Sequence, residues 1–501
     1  MDADSDLDQE VEMEEEGDDL NITIAPKSYC KARLLKGNTE IDIPSDFMSI
    51  DISGRIGDNC GKVEHLLRLL NDDSRRWKDM TIEGDRNGDA MSQAFLSVVG
   101  LAMTKCKSFF CLQKLYADET LYQCLMSGLT SPLCVPSLDL CAYGPDRQKI
   151  KAKHLKCLAE GIAQTTALKD FSFCSLLDHD APIEDISGVL VDGIARNNTI
   201  QHLEFESRNS LDDNLFPCLM KALQRHPKDK LESLSVRSRK ITMDHVKDLV
   251  GYIGHKKCSM KKLRIKKSEL SRIPREFHNV HNTSLKQLCL SEVDNWSDFV
   301  SVVCPTLSSL SSLTIIGQNV TDLAPLDNLL CDESALTSLT QLHLTSTALK
   351  EEALSVFASK LLRMKHLRTI TLSFHHLHFF HPRSSKLDPF LTMVQKSKSL
   401  EYINLSVDHP MEADVLCVLN LNKAGRRGLE TLPSGNSSGG QQPLDIALWP
   451  MILNRCLTLK YAKSIRGRLA QGKEQEEIAR DNLFLILRDH AYIFDAICDK
   501  K

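Results

Sequence analysis

Long apolar runs are missing from this sequence. No stretch reaches the roughly 18 residues that a membrane-spanning helix needs, which argues against a helical membrane protein. Residues 1–19 contain no lysine or arginine and no apolar run, and 11 of them are Asp or Glu. That composition argues against a secretory signal and against a transit peptide, and it predicts a disordered acidic tail. No CxxC pair occurs among the 17 cysteines. Many cysteines, such as Cys157, Cys218, Cys289 and Cys417, sit singly in apolar periodic segments, as small buried thiols do in a reducing compartment. The cytoplasm is therefore expected, with the nucleus as the alternative, and the sequon Asn319-Val320-Thr321 is a chance match.

Enzyme motifs are also scarce. Gly54-Arg55-Ile56-Gly57-Asp58-Asn59-Cys60-Gly61-Lys62-Val63 hints at a phosphate loop. However, Ile56 stands where the first glycine is required, and Val63 has no hydroxyl for magnesium. No HExxH metal motif is present. With a net charge of −5 over 501 residues, bulk charge does not suggest nucleic-acid binding. The expectation is a protein that is not an enzyme and needs no cofactor.

What the chain does have is a repeat. The pattern LxxLxL begins at Leu168, Ile200, Leu231, Met260, Leu285, Leu310, Leu339, Leu367 and Leu400, at intervals of 25 to 33 residues. Weaker copies begin at Trp77, Leu112 and Val135. Between copies, apolar residues fall on one helical face: Leu155, Leu158 and Ile162; Leu215, Leu219 and Leu223; Leu349, Ala353, Phe357 and Leu361. One short strand plus one helix cannot bury its apolar face alone, so neighbours must stack into one core. Strands stack more closely than helices, which bends such a stack.

Residues 77–410 resemble the ribonuclease-inhibitor-like class of leucine-rich-repeat proteins. The resemblance implies an α/β horseshoe solenoid of about twelve repeats, with parallel concave strands and convex helices. The usual Asn in the turn after each strand is mostly missing; Asn319 is one position to fill it. Residues 411–431 contain Leu421-Asn422-Lys423-Ala424-Gly425-Arg426-Arg427. With Ala447-Leu448-Trp449-Pro450-Met451-Ile452-Leu453 and Asn482-Leu483-Phe484-Leu485-Ile486-Leu487-Arg488, this order is similar to the C-terminal signature of uncharacterised leucine-rich-repeat proteins of diatoms. It brings no activity with it. Residues 20–76 read as an N-terminal cap region, 432–443 as a flexible linker, and 444–501 as a helical C-terminal cap.

Charge supplies the candidate site. Residues 221–275 hold 17 Lys or Arg against 5 Asp or Glu, a difference of +12. Within LxxLxL the Leu positions face the core and the others face the concave surface. This puts Lys261, Lys262, Arg264 and Lys266 on one strand. Arg237 falls on the preceding strand with Arg239 just past its end, and Lys286 on the following one. Crowded like charges raise the local potential until a partner relieves it. These residues are therefore expected to bind an acidic protein partner. A phosphate backbone fits less well, because no aromatic platform is interleaved. The bland alternatives are a solvated face, or a nuclear-import segment in Lys256–Lys267.

His375, His376, His378 and His381 cluster without a Cys or carboxylate at ligand spacing, so a surface or inter-repeat contact is expected there and no metal site. The acidic tail could fold back on the basic patch. The expected function is non-catalytic protein recognition through the concave face. Two other classes stay open: a ubiquitin-ligase substrate adaptor docking through residues 444–498, and a GTPase-activating protein of leucine-rich-repeat type.

Overall fold

The computed structural model describes residues 20–26, 48–54, 77–84, 93–115, 119–143, 152–176, 183–207, most of 215–270, 284–320, 324–327, 338–347, most of 351–374 and 399–405, with isolated positions besides. The architecture is α/β, with parallel strands alternating with helices. The chain divides into two compact units. Residues 1–285 and Val293–Trp296 form the first, and Lys286–Glu292 and residues 297–501 the second.

In the first unit, β1 (Leu20–Pro26) pairs antiparallel with β2 (Met48–Gly54). Every later pairing in that sheet is parallel, and strands follow one another in chain order: β3 (Trp77–Gly84), β4 (Cys106–Leu115), β5 (Ser137–Tyr143), β6 (Asp170–Leu176), β7 (His202–Ser207) and β8 (Ser233–Arg237). A parallel pair needs a crossover, and a helix supplies it. These are α1 (Gln93–Lys105), α2 (Glu119–Thr130), α3 (Ala152–Gln164), α4 (Ile183–Arg196) and α5 (Leu215–Arg225). After β8 come the two-residue strand β9 (Lys240–Ile241), α6 (Met243–Ile253) and β10 (Lys262–Lys266), which pairs with β8. A short β11 (Glu269–Leu270) pairs with β9 in a small separate sheet. Thr242 caps α6: its Oγ1 accepts from the His245 N–H at 3.5 Å, while the His245 ring accepts from the Thr242 N–H at 3.3 Å.

The second unit holds β12 (Gln287–Ser291), β13 (Ser312–Val320), β14 (Gln341–Thr347), β15 (Thr369–Phe374) and β16 (Tyr402–Leu405), all parallel and in chain order. Its helices include α7 (Trp296–Val302), which starts at the unit boundary, α8 (Ala324–Asp327) and α9 (Glu351–Leu361).

The repeat register read from the sequence holds where it was strongest. All nine first positions of LxxLxL, from Leu168 to Leu400, are at most 2% exposed. Each such side chain removed from water contributes about 1.5–3 kcal/mol, which is why apolar periodicity sets the strands. Leu158, Ile162, Leu219 and Leu223 are likewise fully buried on their helices.

The weak copy begun at Leu112 is corrected. Phe110 pairs with Leu138 and Leu112 with Leu140, so Leu112 occupies the last apolar position of its repeat rather than the first. The apolar run around it admits several registers of period two, and pairing with β3 and β5 selects one. Asn319 lies inside β13 rather than in a turn after it.

The asparagines that matter lie before the strands. Asn197 is buried; its Nδ2 donates to the carbonyls of Ile162 at 2.7 Å and Thr165 at 3.2 Å, at the end of α3. Its Oδ1 accepts from the N–H groups of Thr199 and Ile200. Asn282 does the same, donating to Ile253 at the end of α6 and accepting from Ser284 and Leu285. One amide thus ties the end of a helix to the entry of the next repeat's strand. It satisfies carbonyls that a helix terminus leaves over.

The acidic segment 1–19, the histidine cluster at 375–381, the linker at 432–443 and the 444–501 segment lie outside the described residues. Among the described residues, no helix is long and apolar enough to cross a membrane. The described cysteines carry thiols rather than disulfides. Burial in apolar surroundings pushes the Cys134 thiol up to about 11 and raises Cys304 as well.

Candidate functional site

Side chains alternate along a strand, so one face of the first unit's sheet is apolar and the other polar. The register puts the polar positions in rows that cross the strands. One row runs Ser137, Asp170, His202, Ser233, Lys262 over β5, β6, β7, β8 and β10. The next runs Asp139, Ser172, Glu204, Ser235, Arg264, and a third carries Glu206, Arg237, Lys266 over β7, β8 and β10. The rows change sign along their length, with carboxylates on β5 to β7 and cations on β8 and β10.

Where the two signs meet, they form a clasp. Lys266 Nζ donates to Glu204 Oε1 at 2.5 Å and to Glu206 Oε1 at 2.6 Å. Arg237 stands 3.9 Å from the other Glu206 oxygen, and Ser235 donates to Glu204 Oε1 at 3.2 Å. Burial works against the Lys266 ammonium, but the hydrogen bonds and charges of the two carboxylates outweigh it and raise its pKa. An ammonium shared between two partly shielded carboxylates in this way is worth more than an exposed surface pair.

Beside the clasp, over β4 to β8, lies a depression of about 270 Å³ lined by Phe109, Asp139, Asp170, His202 and Glu204, with serine hydroxyls between. Burial raises the Asp139 pKa. Hydrogen bonds from Ser172 and Cys111 pull it down, and the charges of Glu204 and Glu206 push it up again. Cys111 Sγ lies 3.6 Å from Asp139 Oδ2.

The expected basic residues divide into groups. Lys262 and Arg264 are exposed on the polar face of β10, and neither makes an ion pair among the described residues. Lys266 and Arg237 belong to the clasp, so the crowding expected from the basic window is already met inside the chain. The relief comes from Glu204 and Glu206, some sixty residues upstream of Lys266. Lys261 precedes β10 rather than lying in it, and its Nζ pairs with Glu232 at 2.8 Å. Arg239 lies outside the described residues. Lys286 is exposed in the second unit, where its carbonyl accepts from the N–H groups of Ser311 and Ser312. Other charges of the window lie elsewhere: Lys247 on α6 faces Asp244, and Lys256 and Lys257 are exposed in the turn after it.

The acids of this face were missed because a local charge count cannot see them. The alternation Leu203-Glu204-Phe205-Glu206 carried the signal, since the polar positions of neighbouring repeats stack.

The row Asp170, His202, Ser233 brings together the residue types of a hydrolytic triad. His202 Nε2 lies 3.7 Å from Asp170 Oδ1. Among the described residues no hydrogen bond joins His202 to Ser233. Gly435-Asn436-Ser437-Ser438-Gly439 has the spacing of a nucleophile elbow, but it falls in the linker composition outside the described residues. Among the described residues no group of His, Cys, Asp and Glu is arranged to hold a metal ion.

The same rows in the second unit carry no formal charge. Cys289, Thr314, His343, Thr371 and Asn404 succeed one another there. His343 Nδ1 lies 2.8 Å from Thr371 Oγ1, and burial lowers the His343 pKa.

No family model and no curated protein matches the chain. Among solved structures it is similar to a protein from Bacteroides fragilis, at 15% identity over 50% of this chain and 78% of that one, with a TM-score of 0.30.

Proposed function

We propose that the protein is a non-catalytic recognition protein, a leucine-rich-repeat horseshoe of the ribonuclease-inhibitor-like kind. It binds a protein partner through the polar strand face of its first unit, where acidic groups of the partner meet Lys262 and Arg264. The observation that carries this reading is the contrast within one strand. Lys266 is neutralised inside the chain, whereas Lys262 and Arg264 stand exposed on a preformed sheet without an ion pair among the described residues. A preformed face loses little conformational entropy on binding. Regular, parallel strand–helix units at the repeat interval support the horseshoe reading.

A hydrolytic reading of Asp170, His202 and Ser233 is weaker. The backbone N–H groups of adjacent parallel strands are engaged in the ladder, so they offer no oxyanion hole. His202 and Asp170 are both about half exposed.

The test is affinity capture with the full chain against Lys262→Glu/Arg264→Glu. This double variant leaves the clasp and the Lys261–Glu232 pair intact. A partner retained by the wild type and lost by a variant with an unchanged circular dichroism spectrum supports the reading. An unchanged captured set overturns it.

A further inference from the structure

The polar strand face of the first unit is two-signed, and that constrains its partner further. Across β5 to β7 stand Asp139, Asp170, Glu204 and Glu206. Lys266 and Arg237 pair with the two glutamates, and His202 lies 3.7 Å from Asp170. Four carboxylates set against Lys266 and Arg237 leave an acidic excess on this half of the face. Two strands further on, Lys262 and Arg264 leave an excess of two positive charges on β10. Both excesses lie on the same face of one sheet, in rows fixed by strand register. Asp170 and Lys262 share a row, three ladder steps apart, which at about 4.8 Å per step is about 14 Å. The depression opens on the negative half and is bounded by Phe109 at its far side. A ring there suits the apolar stem of a long cationic side chain.

We infer that this face docks an extended polypeptide segment carrying cationic residues at one end and acidic residues about four positions away, with the cations over Asp139 and Asp170 and the acids over Lys262 and Arg264. This rests on the recognition reading above and deepens it. An extended chain advances about 3.3 Å per residue, so four residues span the separation of the two halves. A segment of single charge meets one half favourably and is repelled by the other, so the face selects for the pair of charges and for the order in which they lie.

The test uses the full chain and three end-capped peptides at low salt: Lys-Lys-Ser-Ser-Ser-Asp-Asp, the same peptide with four lysines, and the same with four aspartates. The two-signed peptide is expected to bind about tenfold more tightly than either control. Asp170→Lys and Lys262→Glu are each expected to weaken it several-fold. Combining them with Asp139→Asn and Arg264→Gln leaves only reversed charges at these four positions, so this quadruple variant recovers affinity by taking the peptide in the opposite direction. A merely structural role for either residue gives no such recovery. Asp170→Asn serves where Asp170→Lys alters the circular dichroism spectrum, and it is expected to weaken binding without reversing it. Equal binding of the four-lysine peptide, or a folded quadruple variant that does not recover, overturns the inference. If that happens while lysate capture is still lost on Lys262→Glu/Arg264→Glu, the recognition reading stands and only the two-signed one falls. If capture is also unchanged, both fall.

Discussion

The Lys266 ammonium stands 2.6 Å from the Glu206 carboxylate, two strands along the sheet, with Arg237 placed between their backbones by the ladder register. Lys266 is 17% exposed and Glu206 19%. The pair therefore sits inside the polar face rather than on its rim, and it separates the acidic half of that face from the basic half.

Removing the cation leaves two partly buried carboxylates facing each other. Lys266→Met is expected to destabilise the protein by about 1–3 kcal/mol, less than a fully buried pair because Glu204 is open to solvent. Urea denaturation measures it, with Lys262→Met expected within about 0.5 kcal/mol of wild type as the exposed control. Equal effects of the two substitutions would show that the clasp contributes nothing.

Asp139 sets a pH dependence of opposite sign to an ordinary salt-bridged carboxylate. Its folded pKa is raised, chiefly by burial. Between its unfolded and folded pKa values the native state holds more protons than the unfolded chain, so stability falls as pH rises through that window. Asp139→Asn is expected to stabilise the protein at neutral pH and to change little in acid below the ordinary carboxylate range. Thermal unfolding at both pH values decides it, and a variant less stable at neutral pH contradicts the assignment.

Two glycines in α4 should respond in opposite directions. A Cβ at Gly193 would meet the Ala159 carbonyl oxygen at 2.4 Å, so this glycine permits the close approach of α3 and α4; at Gly188 nothing lies within 4 Å. Gly193→Ala is expected to cost about 1–3 kcal/mol through overpacking. Gly188→Ala is expected to gain up to about 1 kcal/mol from helix propensity. Chemical denaturation of the two single variants is sufficient, and a stable Gly193→Ala would mean the helices separate at little cost.

Asn197 joins two repeats through both ends of its amide. Asn197→Ala leaves buried carbonyls and N–H groups without partners, and a loss of about 2–4 kcal/mol is expected. Asn197→Asp keeps the acceptor for Thr199 and Ile200 but loses the donor to Ile162 and Thr165, so it too is destabilising at neutral pH. Hydrogen exchange at Thr199 and Ile200 distinguishes the two, with protection retained only in the Asp variant. Equal exchange in both would remove the acceptor role.

The repeat was legible in the sequence because burial has a period. Leu263 and Ile265 alternate with Lys262, Arg264 and Lys266, and no other strand register keeps the apolar pair from water. Helix positions such as Leu158 and Ile162 were legible for the same reason. The strand at Leu112 was misplaced because its neighbourhood is apolar at several consecutive positions, so alternation alone admits more than one register. The antiparallel β1–β2 pair and the small β9–β11 sheet left no comparable signal. Short or half-polar strands are chosen by what they pair with.

The sequence by itself determined that strands and helices alternate, which first positions of the nine clear repeats are buried, and that Lys262, Arg264 and Lys266 share a face. Those properties depend on neighbours within a few residues, through side-chain alternation and helical period. Only the tertiary structure decided which charges are left for a partner. Lys266 meets Glu204 and Glu206 across roughly sixty residues of chain because parallel stacking brings equivalent positions of successive repeats to about 4.8 Å per strand. Coulomb energy follows distance in space, so a count of charges along the chain records how many there are, while register decides which of them cancel.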